Sequence, residues 1–393
     1  MATITARLPR QLDYWSVGVT HFFVDFLNSG RNLIVALLAL SLGLTNAQVG
    51  LALVIYNVGN ALSQPIFGWL ADKIGPRWLV IGGLGWMMFF SAVTAVASDW
   101  VALIAITVVG LGSGAFHPSG TKVATQAKTS HRTQATAVFF VFGQLGLFAG
   151  PVAAGAILGV WDRPGYLIMP AVAVIALFLS WQWVSNEAVD YQRPQKEETG
   201  APPQTIAQNW GALALIGLIL LGYSSASQSL AIYIPKLFAE LEYNLVYVGW
   251  LAGIALIGGV VGGFVGGTLA DVYHGRTVIF CALTIAAVPL YFAIPALGLL
   301  QMGLLLLAGF FLGMPHSILV IAIQNLLPGR RAFASGLALG FMFFSGSVGS
   351  YFVGVLGDYI GLSLALQCMA VLPVVAAVIV LLIPKEKIAP VID

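Results

Sequence analysis

The chain has 393 residues, of which 59% are hydrophobic and 8% charged, with a mean hydropathy of +0.93. Soluble domains carry about 25% charged residues. Seventeen Lys+Arg and 15 Asp+Glu cannot cover a soluble globule of this length, which excludes a soluble enzyme, a nucleic-acid binder, a disordered chain and a disulfide scaffold. What remains is an all-α polytopic membrane protein, because apolar runs such as 372–383 are continuous and lack the alternation of a membrane β-barrel. The formal charge of +2 points to no acidic partner. Cys281 and Cys368 sit in apolar runs and read as core residues.

A bilayer core takes about 20 apolar residues per helix. Residues 1–13 are polar, so no cleavable leader is expected. The first predicted span, 14–40, carries the sharpest feature of the chain. His21, Asp25, Asn28 and Asn32 are spaced four, three and four residues, so they share one helical face, with Arg31 on its flank. Asp25 and Arg31 are the charges placed deep inside a span, where each costs at least about 2.5–3.5 kcal/mol to insert. The stripe must therefore face the protein interior or water. Asp25 is the first candidate for carrying a proton. Arg31 stays charged and would hold Asp25 or anchor an anionic group of a ligand. A static ion pair orienting the helix is the alternative.

The second span, 47–71, presents Tyr56, Asn60 and Gln64 on one face and ends in Gly68–Arg77, GWLADKIGPR. Asp72 at the end of that helix opposes the helix dipole, so a neighbouring helix N-terminus or Arg77 is its expected partner. Spans 78–98 and 101–122 follow. The latter holds His117 beside Pro118, five residues before Lys122. Imidazole titrates near neutrality, so His117 and His21 could relay a proton with Asp25. The alternative is a satisfied structural histidine. Span 134–159 carries Gln144, and Gly146, Gly150 and Pro151 give close packing and a bend. Span 165–185 closes the first half.

Residues 186–208 combine charge, proline and glycine and read as a cytoplasmic linker between two six-helix bundles, 1–185 and 209–393. Span 209–235 offers Ser227 and Gln228. Span 246–270 carries two glycine ridges, among them Gly258, Gly262 and Gly266. Spans 277–297, 300–325, 332–357 and 362–384 complete twelve. His316 lies in span 300–325 beside Pro315.

The second half repeats the first. GWLADKIGPR at 68–77 returns as GTLADVYHGR at 267–276, which sets Asp72 against Asp271 and Arg77 against Arg276, 199 residues apart. The same offset carries His117 onto His316. A repeat at half-chain spacing marks a duplication. Fourteen of the 17 basic residues fall in alternate connections, which the positive-inside rule places in the cytoplasm together with both termini.

These motifs resemble the major facilitator superfamily of transporters: its signature between spans two and three matches 68–77, and GLFAGPVAAG at 146–155 resembles its antiporter motif. Within it, THFFVDFLNS (20–29) and GSGAFHPSGTKVA (112–124) resemble the fosmidomycin-resistance group of drug–proton antiporters. The span-four arginine of many such antiporters is missing here. The resemblance implies two pseudo-symmetric bundles and alternating access. It also implies a gating role for Gly68, Asp72, Arg77, Gly150, Pro151, Asp271 and Arg276. The expected function is proton-coupled efflux of a small drug-like or organic-anion compound, with proton-coupled symport or facilitated uptake of an organic acid as the alternative. Asp25, His117, His21 and His316 are the expected proton-coupling residues. Arg31, Asn28, Asn32, Tyr56, Asn60, Gln144, Ser227 and Gln228 are the expected substrate contacts. The expected partners are a small molecule, protons and the lipid bilayer, with no nucleic acid. The chain is expected to be no enzyme and to act as a monomer, without cofactor or metal, powered by a proton gradient. Its expected place is a bacterial inner membrane. No two of the histidine and carboxylate residues are read as having metal-ligand spacing on one helix.

Overall fold

The computed structural model describes residues 11–127, 132–185, 210–327 and 331–384. Among these it is all-helical: α1 (Leu12–Leu42), α2 (Asn46–Ile74), α3 (Arg77–Val96), α4 (Asp99–Thr125), α5 (Arg132–Gly165), α6 (Ile168–Trp183), α7 (Trp210–Glu240), α8 (Leu245–Val272), α9 (Gly275–Ala293), α10 (Gly298–Gly313), α11 (Pro315–Leu326), α12 (Arg331–Ile360), α13 (Leu362–Cys368) and α14 (Val371–Val380). The twelve predicted spans are all present. Eleven are long and apolar enough to cross a bilayer, and α6 is a shorter apolar helix of 16 residues. The tenth span is α10 plus α11, interrupted where Pro315 withholds a backbone N–H from the helix ladder. The twelfth is α13 plus α14. The predicted linker 186–208 lies outside the described residues.

The helices divide into two compact units. Among the described residues, the first takes 11–42, 58–127, 132–185 and 244–249, and the second takes the rest. Two short pieces thus depart from the predicted halves. Residues 43–57 count with the second unit, where the Asn46 and Ala47 N–H groups donate to the Asp358 carboxylate at 2.7 and 3.0 Å. Residues 244–249 count with the first, where Gly249 lies against Pro151 and Gly155.

In the first unit α1 is the central helix and packs on α5, α4, α6 and α3. Twenty of its 31 residues are buried, from Tyr14 to Ala39. In the second unit α7 packs on α12 and α14, and α9 on α10 and α14. Small residues permit these approaches, since lipid gives helices no hydrophobic reason to associate. The Gly258–Gly262–Gly266 ridge of α8 faces the backbone carbonyls of Leu306, Phe310 and Met314, so a side chain there would meet backbone.

The outward faces carry large apolar side chains such as Phe264, Leu299 and Trp181, as a lipid-facing surface requires. Cys281 and Cys368 are exposed on these faces, not in the core; apolar runs in a membrane protein supply both locations. Lys236 is buried within α7, which runs five residues past the predicted end, and pairs with Glu240 one turn on.

Candidate functional site

The stripe on α1 faces inward, as its charges require. His21 (3% exposed), Asp25 (7%), Arg31 (8%) and Asn32 (7%) are buried, and Asn28 is half-buried. Asp25 is the centre of a cluster. Its Oδ2 lies 3.2 Å from His21 Nε2, one turn back on α1, and its Oδ1 lies 3.6 Å from His117 Nε2 on α4. The Asn28 amide donates to Oδ1 at 3.0 Å and to Ser113 Oγ at 3.1 Å. The two imidazoles and this amide surround the carboxylate, and Arg31 lies six residues further along α1.

Backbone holds both rings. His21 Nδ1 is 2.9 Å from the Phe139 carbonyl on α5, and the ring stacks on Phe139 with centroids 4.3 Å apart. His117 Nδ1 is 2.8 Å from the Ser113 carbonyl, one turn back on its own helix. Gly143 on α5 completes the wall: a Cβ there would stand 2.5 Å from His21 Nε2 and 2.6 Å from Asp25 Oδ2. One donor atom from each of His21, Asp25 and His117 lies within 4.8 Å of the others. The expectation that no pair of these residues has ligand spacing on one helix is thereby corrected. His21 and Asp25 are one turn apart on α1, and α4 packing supplies the third group.

The remaining predicted residues divide between the units. In the first, Asn32 is buried with an Oδ1 that has no hydrogen-bond partner among the described residues. Asn60 accepts from Gln64 at 3.3 Å, and Gln144 is half-buried. In the second, Tyr56 is buried, Ser227 is exposed, Gln228 is half-buried, and His316 is an exposed residue in the first turn of α11.

The signature residues find different partners from those expected. Asp72 pairs with Lys122 of α4 at 2.6 Å. Arg77 turns away from it and donates to the carbonyls of Val184 at 3.1 Å and Trp181 at 2.6 Å, capping the C-terminal end of α6. Arg276 repeats this on the Ile383 carbonyl at 2.9 Å. Asp271 is exposed, and position 321, which corresponds to Lys122, is Ile321. Gly68 meets Pro118, while Gly150 packs against Phe26 and Ser29 of α1. Ser113, Gly143 and Lys122 are contributors that sequence reasoning missed. Ser113 was within reach of it, because it stands four residues before His117 on the same helical face.

Two units of repeated helical spans, one holding a buried carboxylate between two imidazoles, define a polytopic membrane protein built by duplication. The Major Facilitator Superfamily family model matches residues 17–246 and 214–391, and the chain belongs to that superfamily. It is a multi-pass membrane transporter and not an enzyme. It is 28% identical over 387 residues to the uncharacterized MFS-type transporter YfnC of Bacillus subtilis, covering 94% of this chain and 92% of that one. It is 27% identical over 384 residues to the fosmidomycin resistance protein of Escherichia coli, covering 93% and 91%. A solved bacterial homolog of the human lysosomal transporter Spinster shares the fold, with a TM-score of 0.78 at 15% identity, covering 96% of this chain and 97% of that one.

Proposed function

We propose that this transporter exports a small drug-like or organic-anion compound from a bacterial cell across the inner membrane, in exchange for protons. The observation that carries the reading is the Asp25 carboxylate held between His21 and His117 at 3.2 and 3.6 Å inside the first unit. A buried carboxylate with two imidazoles can take up and give back protons without exposing charge to lipid. Asn32, with a buried acceptor that has no partner among the described residues, together with Asn28 and Arg31, supplies polar contacts for a ligand on the same helix. Asn60 and Gln144 extend that set in the first unit; within the second unit, Tyr56, Ser227 and Gln228 are that unit's own polar candidates. Gly68, Asp72, Arg77, Gly150 and Pro151, with Asp271 and Arg276 and a relay role for His316, govern the alternation between two accessible states. Relatives named as a fosmidomycin resistance protein, and as the multidrug efflux protein YfmO of Bacillus subtilis at 22% identity, support export.

The test uses purified protein in proteoliposomes with an imposed pH gradient and fosmidomycin as first probe, beside a susceptibility panel in a drug-hypersensitive host. Asp25→Asn is expected to abolish proton-driven export while substrate counterflow persists in part. Full proton-driven export by Asp25→Asn sinks the coupling role. A second reading, uptake of an organic acid with protons, has its own support in buried Arg31 and in a relative named as a probable sulfoacetate transporter, 24% identical over 254 residues. Co-accumulation of acid and protons would favour it.

A further inference from the structure

We infer that the His21–Asp25–His117 cluster is a two-proton site with unequal members: a resident proton between His21 and Asp25, and an exchanged proton between His117 and Asp25. This rests on the proton-carrying reading above and specifies how many protons move and by which side chain.

A carbonyl oxygen only accepts hydrogen bonds. His21 Nδ1 faces one at 2.9 Å. His117 Nδ1 faces the Ser113 carbonyl at 2.8 Å, closer than the Ser113 hydroxyl at 3.2 Å, which can accept as well as donate; a hydrogen is therefore assigned to both Nδ1 atoms. In the neutral ring each Nε2 is then a bare lone pair. Each Nε2 points at a different oxygen of the same carboxylate, Oδ2 for His21 and Oδ1 for His117. Two acceptors facing one another repel until a proton stands between them. The cluster therefore has two proton positions, whether each proton resides on nitrogen or oxygen.

Counting charge orders the states. Empty, the cluster carries −1; with one proton it is neutral; with two it carries +1. Burial inside a span penalises both charged states, so the singly loaded cluster is the resting one. The first proton belongs to His21. Its gap is the shorter, its side chain is 3% exposed, and Phe139 and Gly143 wall it in. The His117 gap is longer, Asn28 already donates to the same Oδ1, and the His117 side chain is 27% exposed. This is the position that solvent reaches and the weaker of the two.

The charged surroundings are few. α1 contributes Asp25, His21 and, six residues on, the fixed charge of Arg31; α4 contributes His117. The α5 groups against the cluster are Phe139, Phe140 and Gly143, none of them titratable. Of the other helices packed on α1, α6 carries no ionisable residue and α3 carries Arg77 in its first turn. The other ionisable side chains described on α1, α4 and α5 stand toward the helix ends: Asp13, Tyr14 donating to the Ala135 carbonyl, Asp99 paired with Arg163, Asp162, and Lys122 paired with Asp72.

The test is nitrogen-15 NMR of histidine-labelled protein in nanodiscs with chelator present, the five histidines assigned by single His→Gln variants and titrated through the imidazole range. His117 is expected to pass from the Nδ1–H neutral form to imidazolium, while His21 keeps one shared Nε2 proton throughout. Proton uptake in a pH jump is expected to lose one equivalent in His117→Gln and none in His131→Gln. A neutral His117 found as the Nε2–H form, concerted titration of both rings, or exchange at His21 with His117 silent would each overturn the inference. These signals are read on wild-type protein without transport. Proton-driven export that survives Asp25→Asn therefore defeats the transport reading separately.

Discussion

Asp25 keeps company with two imidazoles because three small features make room for it: the Phe139 carbonyl, the Ser113 turn and the absent side chain of Gly143. Gly143→Ala places a methyl 2.5 Å from His21 Nε2, which must shift. Overpacking of this kind costs about 1–3 kcal/mol. The expected result is folded protein with a lowered melting temperature and a large loss of proton-driven export. Ser113→Ala removes the Oγ contacts of Asn28 and of His117 Nδ1 but leaves the closer carbonyl contact to His117. It is expected to cost about 1 kcal/mol and to slow export without abolishing it. The stripe on α1 was legible in the sequence because intramembrane charge at helical spacing has few explanations. The meeting of His117 with Asp25 was legible only as a shared depth, since two helices reveal their facing sides only when packed. Arg31 invited a simple ion-pair reading for Asp25, and the nearer histidines supply partners that a charge count omits.

At the scale of the helix, the backbone approach of α8 to α10 sets the tolerance of the second unit. A Cβ on Gly262 would collide with the Phe310 carbonyl, and backbone cannot step aside. Gly262→Val is expected to destabilise by at least about 1–3 kcal/mol, measured as thermal unfolding in detergent. Gly303→Ala, which meets nothing within 4 Å, is expected to leave the melting temperature unchanged or slightly raised. Twelve spans and the four-residue glycine spacing were readable because bilayer thickness and close packing constrain composition directly. The division of the tenth span was foreshadowed by Pro315, and the break between α13 and α14, at Met369 and Ala370, by Pro373, which cannot donate to the Met369 carbonyl four residues back. The seventh predicted span stops at 235, just before Lys236, whereas a glutamate one turn later pairs with that lysine and the helix continues.

Across the whole molecule, duplication yields two copies that agree in some contacts and differ in others. Arg77 reaches the Val184 carbonyl and Arg276 the Ile383 carbonyl, each across 107 positions. Arg77→Ala and Arg276→Ala are therefore expected to weaken their own units by similar amounts, about 0.3–1 kcal/mol each, read as unfolding midpoints. Lys122→Ala has a target in the first copy alone, so it is expected to resemble Asp72→Asn in transport assays. Asp271→Asn is expected to match neither. The repeated motif was plain in the sequence. Its wiring was not, since Asp72 and Arg77 are near neighbours in the chain yet reach for different helices.

That pair of arginine contacts also dates itself. A contact kept in both copies at identical spacing is most simply inherited from the single bundle that was duplicated. The lysine bridge, held by one copy, records a later divergence of the descendants. The ancestral gene product thus needed its last helix tethered before it needed two different ends, and the asymmetry between the present halves is a history of specialisation written over a common frame.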